Sequence, residues 1–530
     1  MRQFILTAFI VASVWTSDAA VVRHELTIGE KTISPAGKQV TALTINNGIP
    51  GPVLRFKVGD TAQIRVHNRL PKEKTLLHWH GLLVPNGEDG VPMLNTPPIS
   101  PGGSHDYEFE LKHAGTYWYH SHSGFQEMTG MYGALIIEPR AGERHRADQD
   151  YVVQLSDWTD EDPMRAFSKL KVQSDVYNFN QPTFFDFTAD VSKMGLQAAL
   201  EKRQMWNQMR MNPTDLADLS AATLTFLMNG TTPAGNWNGL FQRGDRVRLR
   251  FINAASNSFY DVRIPGLKLT VIQADGQDVE PVTVDEFRFG PGETYDVMVE
   301  PQDDAYTIFA QSMERSGYAR GTLSVRQGLT APVPEPDSPE WLTMKDMMGA
   351  MGGGAMGHDM MKMDSMGQTK MDHSQMSGGM AMDHSMHGMQ QGSDNPLAKP
   401  SSTIHHARTE YGASVDQRVD TPSTNLDDPG IGLRNLSQRG LRPQGHRVLT
   451  LADLKSIDGV LDDRRPPARE LELHLTGNME RYSWSFDGLE FGKSTPVSLR
   501  HNERVRIILQ NDTMMTHPMH LHGMWSELET

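Results

Sequence analysis

Three widely separated stretches carry one alternating pattern. The first is Gly59-Asp60-Thr61-Ala62-Gln63-Ile64-Arg65-Val66-His67-Asn68; the others run from Gly244 to Asn253 and from Asn502 to Asn511. Apolar and polar residues alternate with the period of two that a half-buried strand requires. In each copy an Asn stands nine residues after the first position. The chain therefore reads as three copies of one β unit. At 530 residues it is too long for a single core, and three domains is the natural count. Turn-rich runs such as Asn47-Gly48-Ile49-Pro50-Gly51-Pro52 recur between strand-like segments. One helix is expected near Met194–Met211. The fold expected is all-β, a series of sandwiches.

Histidine pairs sit at fixed places in this repeat. They are His78-Trp79-His80, His120-Ser121-His122 and His520-Leu521-His522. On a strand, alternate side chains share a face, so each pair aims two imidazoles at one point. Chance alone supplies about one such pair in a chain of this composition. Position decides the matter: His78 lies ten residues beyond the first repeat's Asn, and His520 nine beyond the third's. The middle copy continues into Ala254-Ala255-Ser256-Asn257-Ser258 with no pair. Imidazole suits copper, zinc, iron and nickel, so the outer units are read as carrying metal ligands.

Residues 1–20 read as a secretory leader. Arg2 precedes a short apolar run from Phe4 to Val14, and Ser17-Asp18-Ala19-Ala20 offers small residues for cleavage. No later segment is apolar enough to span a membrane, so the mature protein is expected to be soluble outside the cytoplasm. The net charge of -15 argues against a nucleic-acid partner. There is no cysteine, hence no disulfide framework.

One segment breaks the β pattern. Fifteen methionines lie between Met344 and Met389. They are Met344, Met347, Met348, Met351, Met356, Met360, Met361, Met363, Met366, Met371, Met376, Met380, Met382, Met386 and Met389, interleaved with His358, His373, His384 and His387. Thioether is a soft ligand that selects Cu(I). Glycine and charge leave no packed core in such a stretch. It is read as a flexible segment, residues 331–400, that captures Cu(I). The β units are placed at 21–145, 146–330 and 401–530.

The motifs His78-Trp79-His80-Gly81, Tyr117-Trp118-Tyr119-His120-Ser121-His122-Ser123-Gly124-Phe125-Gln126 and Thr516-His517-Pro518-Met519-His520-Leu521-His522-Gly523 resemble those of multicopper oxidases. The Met-rich insert, Arg263-Ile264-Pro265-Gly266-Leu267 and Leu475-Thr476-Gly477-Asn478-Met479-Glu480-Arg481-Tyr482 are similar to the periplasmic copper-resistance branch of that family. The likeness runs from Leu26 to the last residue. It implies three consecutive cupredoxin-like Greek-key sandwiches and a complement of four coppers. It further implies that His78 and His520 hold the type 2 copper, and that His80, His120, His122 and His522 hold the paired type 3 coppers. His517 would be one ligand of the type 1, blue copper. Asp89 matches an acidic residue that assists protons toward the cluster.

One family element is absent. The closing His-Cys-His motif, with the blue-copper thiolate, has no counterpart after His522. The expectation is a C-terminally truncated chain whose third domain is incomplete and which is inactive as it stands. For the parent protein, the resemblance implies oxidation of Cu(I) to Cu(II) with reduction of dioxygen to water, in copper detoxification. Non-catalytic copper sequestration and laccase-type phenol oxidation remain alternatives. Other periplasmic copper-handling proteins are candidate partners.

Overall fold

The computed structural model describes residues 19–208, 210–342, 401, 403–419, 426–457 and 465–529. The expected leader, apart from Ala19 and Ala20, and the whole run Met344–Met389 with its four histidines lie outside the described residues.

The first unit holds β1 (Val21–Ile33), β2 (Val40–Ile45), β3 (Leu54–Lys57), β4 (Thr61–Asn68), β5 (His78–His80), β6 (Ser104–Glu110), β7 (Gly115–His120) and β8 (Tyr132–Glu138). Two sheets, β2-β1-β4-β6 and β3-β8-β7-β5, enclose one core that includes Ile64, Trp79, Tyr119 and Leu135.

The second unit opens with β9 (Gln149–Thr159), then α1 (Pro163–Leu170), α2 (Phe184–Met194) and α3 (Leu196–Gln208). It continues with β10 (Leu224–Met228), β11 (Trp237–Leu240), β12 (Val247–Asn253), β13 (Tyr260–Arg263) and β14 (Leu269–Ala274). It ends with β15 (Gln277–Val284), β16 (Glu286–Phe289), β17 (Thr294–Val299), β18 (Ala305–Ser312) and β19 (Tyr318–Ser324). Its sheets run β10-β9-β12-β17-β14-β15 and β11-β19-β18-β13-β16. The third unit contributes β20 (Arg469–Asn478), β21 (Ser483–Phe486) and β22 (Val505–Asn511), one sheet of order β21-β20-β22 among the described residues.

The three repeats occupy one structural position. β4, β12 and β22 each pair in parallel with the strand that opens their unit, namely β1, β9 and β20. The recurring Asn has a shared task. Asn68 Oδ1 accepts from Leu70 N, Asn253 Oδ1 from Ala255 N, and Asn511 Oδ1 from Thr513 N, at 2.9, 3.0 and 2.9 Å. Each is an Asx turn that bends the chain as it leaves the sheet. The amide nitrogens then tie down the following loop, at the carbonyls of Glu73, Ser258 and Met515.

The helices exceed the expectation of one. α3 falls in the expected stretch, and α1 and α2 precede it. Their start signals are local: Asp162 Oδ1 accepts from Arg165 N ahead of Pro163, and Thr183 and Asp186 form a reciprocal capping box. Both are short, and Phe184 and Phe185 of α2 are exposed, so no long apolar stripe announces them. Residues 331–342, read as part of the Met-rich segment, lie against the second unit, where Arg263 and Gln311 bond Asp337, and Arg442 of the third unit reaches the same residue. No helix among the described residues is long and apolar enough to cross a membrane.

Candidate metal centre

β5 and β7 run antiparallel, with His78 opposite His120 and His80 opposite Trp118. Strand alternation sends Trp79 into the core, 0% exposed, and both histidines to the other face. His122 follows just past the end of β7. His520 and His522 lie in chain beyond β22 that joins no ladder among the described residues. That differs from the strand placement expected for them.

All six rings nonetheless converge. The His78 ring lies 5.5 Å from His120, 5.0 Å from His122, 5.7 Å from His520 and 4.1 Å from His522. His80 stacks on His520 at 3.8 Å. Two sets, His78 with His80 and His120, and His78 with His122 and His522, bring ligand nitrogens within 4.8 Å of one another.

Hydrogen bonds fix the ring orientations. The Nδ1–H of His78 donates to the Asp89 carbonyl at 2.7 Å, which leaves Nε2 buried with no partner. The Nδ1–H of His522 donates to Asp89 Oδ2 at 3.1 Å, and Asn95 Nδ2 donates to the same oxygen at 3.0 Å. Asp89 therefore grips one ring from each end of the chain. Burial would raise its carboxyl, but the hydrogen bonds from His522 and Asn95 and the His78 ring beside it, 3.4 Å from Oδ1, outweigh that and hold it well below the usual carboxylate range. Desolvation by burial lowers His78 to about 4 and His120 and His520 to about 3; His80 and His122 shift the same way. At neutral pH these imidazoles are uncharged, with lone pairs available. A buried, partnerless imidazole nitrogen is costly unless something accepts its lone pair, so the donor set fits a metal such as copper.

Sequence reasoning missed several contributors. Glu127 Oε2 lies 2.9 Å from His120 Nδ1, and burial pushes its carboxyl up to about 8. Trp118 stacks on His120 at 4.1 Å and donates from Nε1 to Gly292 O of the second unit at 3.3 Å. Trp525 Nε1 donates to Gly81 O at 3.0 Å and packs its ring 3.9 Å from His113, which docks the distal segment on the first unit. No residue spacing signals these contacts. The middle unit's pairless turn is closed by Asp157, whose carboxylate accepts from Ser256, Asn257 and Ser258. His517 stands apart from the cluster, edge-on to Trp484 at 4.7 Å. A cleft of about 980 Å³, lined among others by His80, Trp118, His517, His520 and Trp525, reaches the centre.

Sandwich repeats with an imidazole cluster between the first and last define a metal-binding cupredoxin-type protein. Multicopper oxidase family models match residues 27–142, 149–328 and 464–529. The chain belongs to the multicopper oxidase family, whose cofactor is copper. It is 52% identical to Copper resistance protein A of Escherichia coli, over 96% of this chain and 84% of that one. It is 51% identical to the Copper resistance protein A homolog of Pseudomonas syringae pv. tomato, over 95% and 83%. The laccase from Botrytis aclada superposes with a TM-score of 0.47 at 27% identity, over 61% of this chain and 56% of that one.

Proposed function

We propose that this protein serves copper resistance in the periplasm as an oxidase whose substrate is Cu(I). Four Cu(I) ions, one dioxygen and four protons give four Cu(II) ions and two waters. The observation that carries the reading is the convergence of six imidazoles from both ends of the chain. His78 and His520 are assigned to the type 2 copper, and His80, His120, His122 and His522 to the type 3 pair. His517, which lines the cleft, is assigned to the blue copper. Bound copper supplies one-electron transfer and dioxygen reduction. The protein's part is to hold the rings and deliver protons. Asp89 orients His78 and His522, and its Oδ1, buried without a hydrogen-bond partner, is the atom assigned to proton relay.

The test is oxygen consumption by copper-loaded protein carrying the family's His-Cys-His motif, with Cu(I) supplied. Uptake of one dioxygen per four Cu(I) is expected; no uptake refutes the oxidase reading. Residues 21–530 alone, lacking any cysteine, are expected to show no intense blue band and little turnover, since that band needs a copper–thiolate bond. The Met-rich run is proposed to capture substrate Cu(I). Deleting Met344–Met389 is expected to lower the Cu(I) bound per chain in competition with a chromophoric chelator. Unchanged stoichiometry would show the methionines to be bystanders.

A further inference from the structure

A second cluster of metal-ligating side chains lies in the third unit, away from the six histidines. His406 and Glu410 come from the stretch 403–419, His474 from β20, and Asp512 from the residue after β22. We propose that His406, Glu410, His474 and Asp512 form a separate binding site for one divalent cation of the zinc type.

The geometry carries the proposal. His406 Nδ1 lies 2.6 Å from Glu410 Oε2 and 3.7 Å from Asp512 Oδ2. His474 Nδ1 lies 2.9 Å from Asp512 Oδ2 and 3.4 Å from Glu410 Oε2. One ligand atom from each residue lies within 4.8 Å of all the others. Bonds of 2.0–2.2 Å to a tetrahedral zinc separate neighbouring ligand atoms by about 3.3–3.6 Å. The four measured gaps straddle that figure, so small shifts seat the ion.

The surrounding contacts point the ligands inward. His474 Nε2 lies 3.0 Å from Glu472 Oε1. A carboxylate there takes the Nε2–H and leaves Nδ1 as the donor, the usual outer-shell arrangement of a metal-bound histidine. Glu410 receives the Ala407 amide on Oε1, and Asp512 receives the Val419 amide on Oδ1. Each carboxylate thus anchors one oxygen on backbone and turns the other to the imidazoles. Both carboxylates are 0% exposed, and a dication seated between them would balance their two buried negative charges. Two nitrogens and two oxygens suit a borderline divalent cation, and four protein ligands with no open position mark a structural site.

Its role follows from its place. The cation clips the stretch 403–419 onto the sheet of β20 and β22. Asp512 stands five residues before His517, on the chain that leads to His520 and His522. The clip therefore fixes the exit from which the distal copper ligands depart.

Crystals of the full chain soaked in Zn(II) and measured at the zinc K edge test this directly. An anomalous peak bonded to the four named atoms is the expected result. Zinc at the six-histidine centre with none here overturns the proposal. In solution, Glu410→Gln is expected to bind one Zn(II) fewer per chain by equilibrium dialysis, with an unchanged far-ultraviolet spectrum. Equal zinc in a folded variant refutes the site, and if the variant does not fold the wild-type anomalous map decides alone.

Discussion

Gly90→Ala is expected to cost copper as well as stability. Gly90 has φ +82, and a Cβ there would sit 1.9 Å from the Leu77 carbonyl oxygen and 3.0 Å from the His78 Cα. Both obstacles are backbone, so no side-chain rotation relieves them. The positive φ adds roughly 1–2 kcal/mol for an L-residue, and forced overpacking adds about 1–3 kcal/mol. The strand that must retreat carries His78, and the segment that must retreat carries Asp89, whose carbonyl accepts from His78 at 2.7 Å. Metal sites hold their ligands to within about 0.5 Å, so the displacement is expected to empty the position that His78 serves. Gly87→Ala is the control, because nothing lies within 4 Å of a Cβ there. Copper per chain after reconstitution, with thermal midpoints for both variants, checks the expectation. Normal copper and an unchanged midpoint in Gly90→Ala would show that the contact is slack.

What the sequence revealed and what it hid follow from the range of each interaction. The β repeats were legible because alternation and the Asn turn are local, and each copy rebuilds the same parallel pairing on its own opening strand. That His78 and His80 share a face was legible for the same reason. Convergence with His520 and His522 was implied only by resemblance. In the fold it depends on Trp525 reaching Gly81 and His522 reaching Asp89, contacts between opposite ends of the chain. Glu127 and Gly90 were invisible as site residues, since one acts across β7's end and the other through backbone proximity. The cluster of His406, Glu410, His474 and Asp512 shows no ligand-like spacing, because three separate segments supply it. Asp89 was expected as a proton relay; its grip on two rings could be read only from the fold.

Arg250→Met is expected to be among the most destabilising single changes in the second unit. Arg250 lies on β12, 1% exposed, and all five of its N–H groups have acceptors. Nε and Nη2 reach Asp150, Nη2 also reaches Glu143, and Nη1 reaches Asp296 at 2.9 Å and Thr116 at 3.1 Å. Thr116 belongs to β7, four residues before His120, so the network also ties the second unit to the strand that carries the cluster. Removing the guanidinium leaves Asp296, 0% exposed, without its counter-charge, and breaking a buried pair in this way costs about 3–5 kcal/mol. The loss has a predictable pH dependence. Burial already raises the Asp296 carboxyl, with Arg250 opposing it; without Arg250 the folded-state value rises further. A raised carboxyl binds a proton in the folded state that the unfolded chain releases, so the variant loses stability as pH climbs above the ordinary Asp range. Denaturant unfolding of the second unit is therefore expected to show a larger deficit at pH 8 than at pH 5. Arg250→Met with Asp296→Asn should recover part of the deficit and flatten its pH dependence, because the stranded charge is gone. A deficit of equal size at both pH values, or one below about 1 kcal/mol, would mean that water reaches Asp296 once the arginine is removed and that the network is not the buried clamp its geometry describes.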